Sequence, residues 1–228
     1  MAIPAVPNPN PISEAAPSPR ALSLQPLTEA DLPLALALDR NCLGGLWSEA
    51  GYRREIESDR SELWILTTGE PVPPARPPLQ NPPPEPSQPG RTILALGCLW
   101  AILDEAHITL LAVSPQWRRQ GLGQYLLWAL LQAAYHRQLA WAALEVRVSN
   151  AIAIDLYRSF GFQAIGQRCK YYQDNQEDAA ILWLKQLQSE AVYQSLQAKA
   201  PLLHRRLHQS GWQTPTPSAS VKQYFQKS

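Results

Sequence analysis

Ile108-Thr-Leu-Leu-Ala-Val113, the turn Ser114-Pro115, the basic loop Arg118-Arg-Gln-Gly-Leu-Gly123 and, past a long apolar-periodic segment, Leu144-Glu-Val-Arg-Val-Ser-Asn150 form the stretch that decides how this chain folds. A short apolar run closed by a Ser-Pro turn reads as a buried strand. Glycines in the loop let backbone N–H groups converge with no Cβ in the way. The helix that follows opens with unpaired donors and the positive end of its dipole. Strand, glycine loop and helix in that order suit an anion such as a diphosphate. Arg118 and Arg119 add charge-assisted contacts or stand as a solvated flank. The loop is not a Walker motif, and Gly121-x-Gly123 lacks the third glycine of a dinucleotide fingerprint. Taken alone, it is equally a glycine-rich helix entry carrying arginines for solubility.

Downstream, Gly121 to Gln138 places Leu122, Leu126, Ala129, Leu130 and Ala133 on one helical face, with Leu127, Trp128 and Leu131 widening it. Trp141 to Ser149 alternates as a strand, with Leu144, Val146 and Val148 on one side and Ala143, Glu145 and Arg147 on the other. A short helix from Ala151 to Phe160 ends at Gly161 as a left-handed cap, Phe162 opens the next strand, and Ala179 to Leu184 reads as the closing one. Upstream, Leu22 to Gln25 begins a strand. Thr28-Glu-Ala-Asp31 has the form of a capped helix start, continued by Leu32, Leu36 and Asp39 at helical spacing. Gly44-Gly45 breaks that helix, and a second, more polar one runs from Ser48 to Glu57. Trp47 sits at the corner between them, either as a hydrophobic staple or beside a substrate entrance. Leu63–Thr67 and Thr92–Leu103 read as strands, and Asp104-Glu105 turns the chain into Ala106–Val113. His107 has no metal-ligand partner nearby in sequence and reads as a strand-end residue.

The 228 residues suffice for one good core with decorations. Residues 1–20 hold six prolines and few large apolar side chains, the composition of a disordered leader. Ten prolines between Gly69 and Gly90 exclude a sheet or helix interior, so this segment reads as a proline-rich loop inserted between two strands of a domain spanning residues 21–185. A ligand for a proline-reading domain is the alternative use of that loop. Residues 186–228 read as a helical and polar extension interrupted by Pro201. Its local basic charge, in Lys199, Arg205, Arg206, Lys222 and Lys227, suits either a solvated appendage or an anionic partner such as ribosomal RNA. The net charge of +1 gives no global reason to expect nucleic acid or membrane. Cys42, Cys98 and Cys169 are odd in number and far apart, which argues against a disulfide framework or a zinc site and for a reducing, cytoplasmic compartment. No apolar run approaches the ~18 residues that cross a bilayer.

Arg118-x-x-Gly121-x-Gly123 behind a Leu-Leu-Ala-Val-Ser-Pro strand resembles the acetyl-CoA loop of the GCN5-related N-acetyltransferase (GNAT) superfamily. Within that superfamily, Leu144 to Tyr157, Ser159-Phe-Gly-Phe162, Lys170-Tyr-Tyr172 and Glu177-Asp-Ala179 closely resemble the RimI-type family of ribosomal-protein-alanine N-acetyltransferases. The resemblance spans roughly Leu22 to Leu184 and is strongest from Ile108 onward. It implies an α/β fold with a mixed, splayed β-sheet flanked by helices. It also implies that backbone groups of Leu111, Ala112 and Val113 meet the pantetheine amides, and that Arg119, Gln120, Gly121, Leu122, Gly123 and Gln124 hold the pyrophosphate. Asn150, which the residues alone make a helix N-cap, would also contact the coenzyme.

The resemblance further implies direct attack by a protein's N-terminal amine on the acetyl thioester, in a ternary complex with no metal. An α-ammonium has a pKa of ~7.7–8, so a modest base completes its deprotonation, and the departing thiolate needs a donor. Glu145 matches the family's catalytic glutamate as general base, and Tyr157 its catalytic tyrosine as general acid. Without the match, Glu145 is a surface carboxylate paired with Arg147 or another basic neighbour, and Tyr157 a core tyrosine. Trp47, Tyr171 and Tyr172 fall where the family surrounds the incoming peptide, and core packing is the competing role for each. The expected acceptor is an alanine-starting small-subunit ribosomal protein. Other protein N-termini, a small amine, or a catalytically silent acyl-CoA-binding scaffold stand as alternatives.

Overall fold

The computed structural model describes residues 19–69 and 91–224. The expected disorder of residues 1–18 and the proline-rich loop from 70 to 90 lie outside the described residues. Among the described residues eight strands form one mixed sheet in the order β6-β7-β5-β4-β3-β2-β1-β8. In chain order they are β1 (Ser23–Pro26), β2 (Ser61–Thr68), β3 (Thr92–Ile102), β4 (Glu105–Val113), β5 (Trp141–Arg147), β6 (Gln163–Tyr172), β7 (Glu177–Leu184) and the two-residue β8 (Thr216–Pro217). Six α-helices of the described residues accompany them: α1 (Leu32–Leu43), α2 (Glu49–Glu57), α3 (Leu122–His136), α4 (Ala151–Ser159), α5 (Glu190–Gln209) and the short α6 (Ala219–Lys222). Every strand and helix expected from Leu22 to Leu184 is present, with ends shifted by a few residues. The Trp141–Ser149 strand stops at Arg147, and Val148 is exposed.

The sheet separates two apolar clusters. One packs β-sheet residues such as Leu94, Leu144 and Leu182 against α3, α4 and α5, and the other packs Leu63, Ile65, Leu96 and Cys98 against α1 and Tyr52 of α2. Leu126, Leu127, Leu130 and Leu131 of α3 have no exposed surface, and each such burial is worth roughly 1.5–3 kcal/mol. Helix α3 approaches β3 closely over Gly97, where an added Cβ would lie 3.0 Å from Leu130 and 3.1 Å from Leu126.

Two irregularities shape the middle of the sheet. Between β3 and β4 the register slips: Cys98 faces Leu110 while Leu99 faces Ile108, leaving Thr109 as the extra residue of a bulge. Ala106 and Ile108 therefore point to the α3 side, and Leu110 and Ala112 to the α1 side. Between the parallel strands β4 and β5, pairing covers only Glu105 with Trp141, Ala106 with Ala142 and His107 with Ala143. Both strands continue without each other after that point, so the sheet opens in its centre.

The first helix pair is held by one carboxylate. Asp39, fully buried, accepts from the backbone N–H of Leu46 (2.8 Å) and Trp47 (3.0 Å) and from the Tyr52 hydroxyl (3.0 Å). Ser48 caps α2 by accepting from Gly51 N–H. Ahead of α1, the Asp31 carboxylate accepts from both the backbone N–H and the hydroxyl of Thr28, so the expected cap forms on a single 3-10 turn that leads into the helix.

The extension after Lys185 is not a solvated appendage. α5 runs antiparallel to α3, with Tyr193 stacked on Tyr135 at one end and Arg206 beside Gly121 at the other. Leu196, Leu203, Leu207, Trp212 and Val221 join the main core. The helix passes through Pro201 uninterrupted. Packing of the leucines on both sides outweighs the one hydrogen bond that proline removes. Beyond α5 the chain adds β8 to the edge of β1, and the Tyr224 hydroxyl reaches Glu62, which Arg137 also engages. Arg20, assigned by composition to the leader, belongs to the fold. Its guanidinium lies 3.9 Å from the Trp212 ring centre and 4.8 Å from that of Trp117, and its backbone pairs with Gly211 and Gln213.

Replacing Asp39 by alanine leaves three donors at the helix corner without their acceptor. We expect a loss of about 3 kcal/mol in chemical denaturation, and clearly less for Asp39→Asn, which keeps one oxygen acceptor.

Candidate active site

Glu145 stands two residues beyond the last β4–β5 pair. Because Leu144 and Val146 enter the α3-side core, its carboxylate projects to the other face of the sheet, as the strand alternation predicts. There it is nearly buried, with a side chain 9% exposed, and both oxygens are engaged. Oε2 is 3.0 Å from His107 Nε2, and Oε1 is 3.0 Å from an Arg168 guanidinium nitrogen. The hydrogen bond from His107, with help from the charges of His107 and Arg168, holds the Glu145 carboxyl below its ordinary 4.5 despite burial. The second ring nitrogen of His107, Nδ1, lies 2.7 Å from Glu105 Oε1. Glu145 first and Glu105 second raise the pKa of His107 above its ordinary 6.5, against a lowering by desolvation.

His107 is thus not an isolated strand-end residue, and Glu145 does not pair with Arg147. The sequence offered one signal that went unused: Glu105-x-His107 at strand period puts both side chains on one face. What it lacked was the neighbour, since Glu145 and Arg168 come from two other strands. Arg147 is taken up elsewhere. It forks onto Asp174, contacts Asn175 and Glu177, and lies 3.8 Å over the Tyr172 ring, tying β5 to the β6–β7 hairpin. Among the described residues, no three His, Cys, Asp or Glu side chains converge in a way that could hold a metal.

Tyr157 approaches from the opposite face. It belongs to the α3-side core, is 7% exposed and meets the Phe162 ring edge-on at 5.8 Å. Burial raises its pKa well above 10, so the phenol keeps its proton across the physiological range. Tyr172 is half-buried and within electrostatic reach of both Glu145 and Tyr157. Tyr171 is more exposed and packs its ring perpendicular to Tyr172 at 5.2 Å. Trp47 stacks parallel to Trp100 at 6.1 Å and edge-on to Tyr52 at 5.2 Å. Trp100 is the cross-strand partner of His107, so Trp47 is linked to the carboxylate row through one intervening ring. Two surface hollows among the described residues lie against β2 and β3, away from the opening between β4 and β5.

The glycine loop closes the end of β4. Gly121 caps α3 with φ +88°, and the first helical bond runs from Tyr125 N–H to the Gly121 carbonyl. The N–H groups of Leu122, Gly123 and Gln124 therefore lack intrahelical acceptors, and no acidic residue in the first turn competes for them. Arg119 is itself left-handed, at φ +63°. The loop is supported from behind by the C-terminal extension. Trp212 Nε1 donates to Gln120 Oε1 at 2.8 Å, Arg206 reaches the Arg119 carbonyl at 3.5 Å, and the Arg206 methylenes would lie 3.2 Å from a Cβ at position 121. Arg118 folds back so that its Nε donates to the Val113 carbonyl at 3.1 Å, so a ligand would compete with that contact for this carbonyl. Asn150 caps α4 by accepting from Ala153 N–H at 3.1 Å.

The sequence and the fold are similar to those of known proteins. Residues 87–162 match the model of the acetyltransferase (GNAT) family. The [ribosomal protein bS18]-alanine N-acetyltransferase of Escherichia coli K12 is 47% identical over 85 residues, which are 36% of this chain and 57% of that protein. That of Haemophilus ducreyi is 40% identical over 95 residues, which are 40% of this chain and 66% of that one. The chain thus spans little more than half the length of the first curated relatives it matches. Superposition covers more. The crystal structure of the Escherichia coli ribosomal-protein-S18-alanine N-acetyltransferase aligns with 72% of this chain and 94% of its own, at TM-score 0.57 and 32% identity. Ard1 from Thermoplasma volcanium aligns with 72% of this chain and 97% of its own, at TM-score 0.58 and 20% identity, a likeness of fold. Sheet, glycine loop and sequence agree, and the chain belongs to the GCN5-related N-acetyltransferase superfamily, in its RimI-type family.

Proposed function

We propose that the protein transfers the acetyl group of acetyl-CoA to the α-amine of a protein N-terminus, with the N-terminal alanine of a small-subunit ribosomal protein as acceptor. The observation that carries this reading is the parting of β4 from β5 directly beside Glu145. Facing strand edges whose N–H and C=O groups have no strand partner suit an extended ligand rich in amides, since such groups cost about 1–3 kcal/mol each when buried unpaired. The pantetheine arm has that form. Leu111, Ala112 and Val113 form the β4 edge proposed to meet it, while the first-turn amides of α3 at Leu122, Gly123 and Gln124 suit the pyrophosphate. Bound acetyl-CoA would supply the activated acetyl group.

Glu145 and Tyr157 approach the opening from opposite faces of the sheet, which fits a base acting on the acceptor amine and an acid acting on the departing sulfur. Tyr157 holds its proton firmly until a thiolate forms beside it. Trp47, Tyr171 and Tyr172 then border the side from which the peptide enters. The choice of a ribosomal N-terminus rests on the relatives, several of which carry that activity in their names.

Incubation with acetyl-CoA and a panel of peptides differing in their first residues tests the acceptor. Acetylation of the α-amine of alanine-starting peptides is expected, and modification confined to lysine side chains or free polyamines would overturn the reading. Tyr157→Phe should lower kcat by about 10²-fold or more with acetyl-CoA binding nearly unchanged. Gly121→Ala forces a side chain into the left-handed region against Arg206, at about 1–2 kcal/mol. Calorimetry should accordingly show CoA binding weakened by roughly tenfold.

A further inference from the structure

Glu145 is poorly suited to act alone. An amine proton delivered to a carboxylate that Arg168 already pairs with is held badly, because efficient proton transfer needs acceptor and donor of similar strength. The contacts around His107 suggest where the proton goes. A neutral imidazole has one N–H, so it can donate to Glu105 or to Glu145 but not to both. With Nδ1 2.7 Å from Glu105 and Nε2 3.0 Å from Glu145, both contacts are hydrogen bonds only when one further proton lies between His107 and Glu145. The row is therefore built to hold one proton more than its neutral form.

We propose that His107 is the positioning residue that stores the proton Glu145 takes from the acceptor amine, and that Glu105 orients His107 and opens the way to solvent. This rests on the acetyltransferase reading. In the proton-accepting form His107 is neutral, with Nδ1–H donating to Glu105 and Nε2 facing the Glu145 carboxylate. The acceptor ammonium gives one proton to Glu145, directly or through water, and it settles on His107 Nε2. The amine nitrogen bonds to the acetyl carbonyl carbon, and the C–S bond breaks with its electron pair going to sulfur. The nitrogen loses its second proton, the thiolate gains one from Tyr157, and the phenol is reprotonated by that second proton. The stored proton then leaves through the more exposed end of the row, so that one proton is released per amide formed. Side-chain exposure rises from 9% at Glu145 to 23% at His107 and 22% at Glu105, in keeping with that direction.

The charged and titratable groups facing the device are Glu105 on β4, Glu145 on β5, and Arg168 and Tyr172 on β6. Two carboxylates favour imidazolium, so His107 empties only above its ordinary 6.5, and the rate should fall as pH drops through that raised value. Removing a carboxylate lowers the value and moves the acid limb to lower pH. The test follows kcat/KM against pH for the parent, His107→Gln and Glu105→Gln, together with KM for acetyl-CoA and thermal melting. His107→Gln should lose the parent's acid limb and about 10²-fold in kcat near pH 7, with KM for acetyl-CoA within about twofold. Glu105→Gln should keep most of the activity at high pH and shift the limb downward. The acceptor's own ionisation is common to all three and cancels in the comparison.

NMR titration of the imidazoles, with His107 assigned by its absence in His107→Gln, needs no turnover and reports on the device even if no tested peptide is acetylated. A His107 midpoint above 6.5 that falls in Glu145→Gln and in Glu105→Gln supports the proposal. A midpoint at or below 6.5 in the parent, or a folded His107→Gln enzyme that keeps the parent's acid limb and rate, overturns it. Failure to acetylate any amine while that midpoint behaves as expected would count against the acetyltransferase reading instead.

Discussion

The parting of β4 from β5 after His107 and Ala143 is the constraint on which the rest of the molecule depends. A sheet interior normally satisfies every backbone group by pairing, and here two neighbouring strands give that up in the centre of the domain. The bulge at Thr109 prepares the break by turning β4 over, so that its apolar side chains change face as the strand leaves its neighbour. Everything proposed for the chemistry lies around the resulting gap: the glycine loop at the end of β4, Asn150 and Tyr157 beyond the end of β5, and Glu145 on its rim.

A sheet opened in this way has to be held from outside. On one face Asp39 gathers the α1–α2 corner and thereby sets Trp47 against Trp100. On the other, α3 packs its leucines onto the sheet, and α5 lies along α3 with its far end braced against the loop. The left-handed Arg119 and Gly121 would be an uncomfortable pair in a free loop. Trp212 and Arg206 hold that conformation from behind, and the Arg20 guanidinium beside Trp117 and Trp212 fastens the chain's beginning to its end. Part of the extension's basic charge is spent within the molecule, with Lys199 over Phe160 and Arg206 on the loop.

Where a feature depends on near neighbours in sequence, it was legible. The Thr28–Asp31 cap, the Ser48 cap, the left-handed Gly161 at the end of α4 and the alternation that turns Glu145 away from Leu144 and Val146 are all decided within a few residues. Pro201 misled because its local cost was read without the packing of Leu196, Leu203 and Leu207 that overrides it. Arg20 misled in the same way. A proline-rich composition marked it for the leader, while its partner Trp212 is near the other end of the chain.

From the amino-acid order alone came the strand, glycine loop and helix, the positions of Glu145 and Tyr157 at the family's spacing, and the α/β character of the domain, because hydrophobic periodicity and turn chemistry are local. Only the tertiary structure decided what surrounds those groups. His107, Glu145 and Arg168 sit on three different strands, and no sequence spacing brings an imidazole between Glu105 and Glu145. The loop's shape likewise depends on Trp212, which approaches Gln120 only because α5 returns along α3. Side-chain ionisation and loop conformation are set by contacts through space, and those exist only once the sheet has chosen its order.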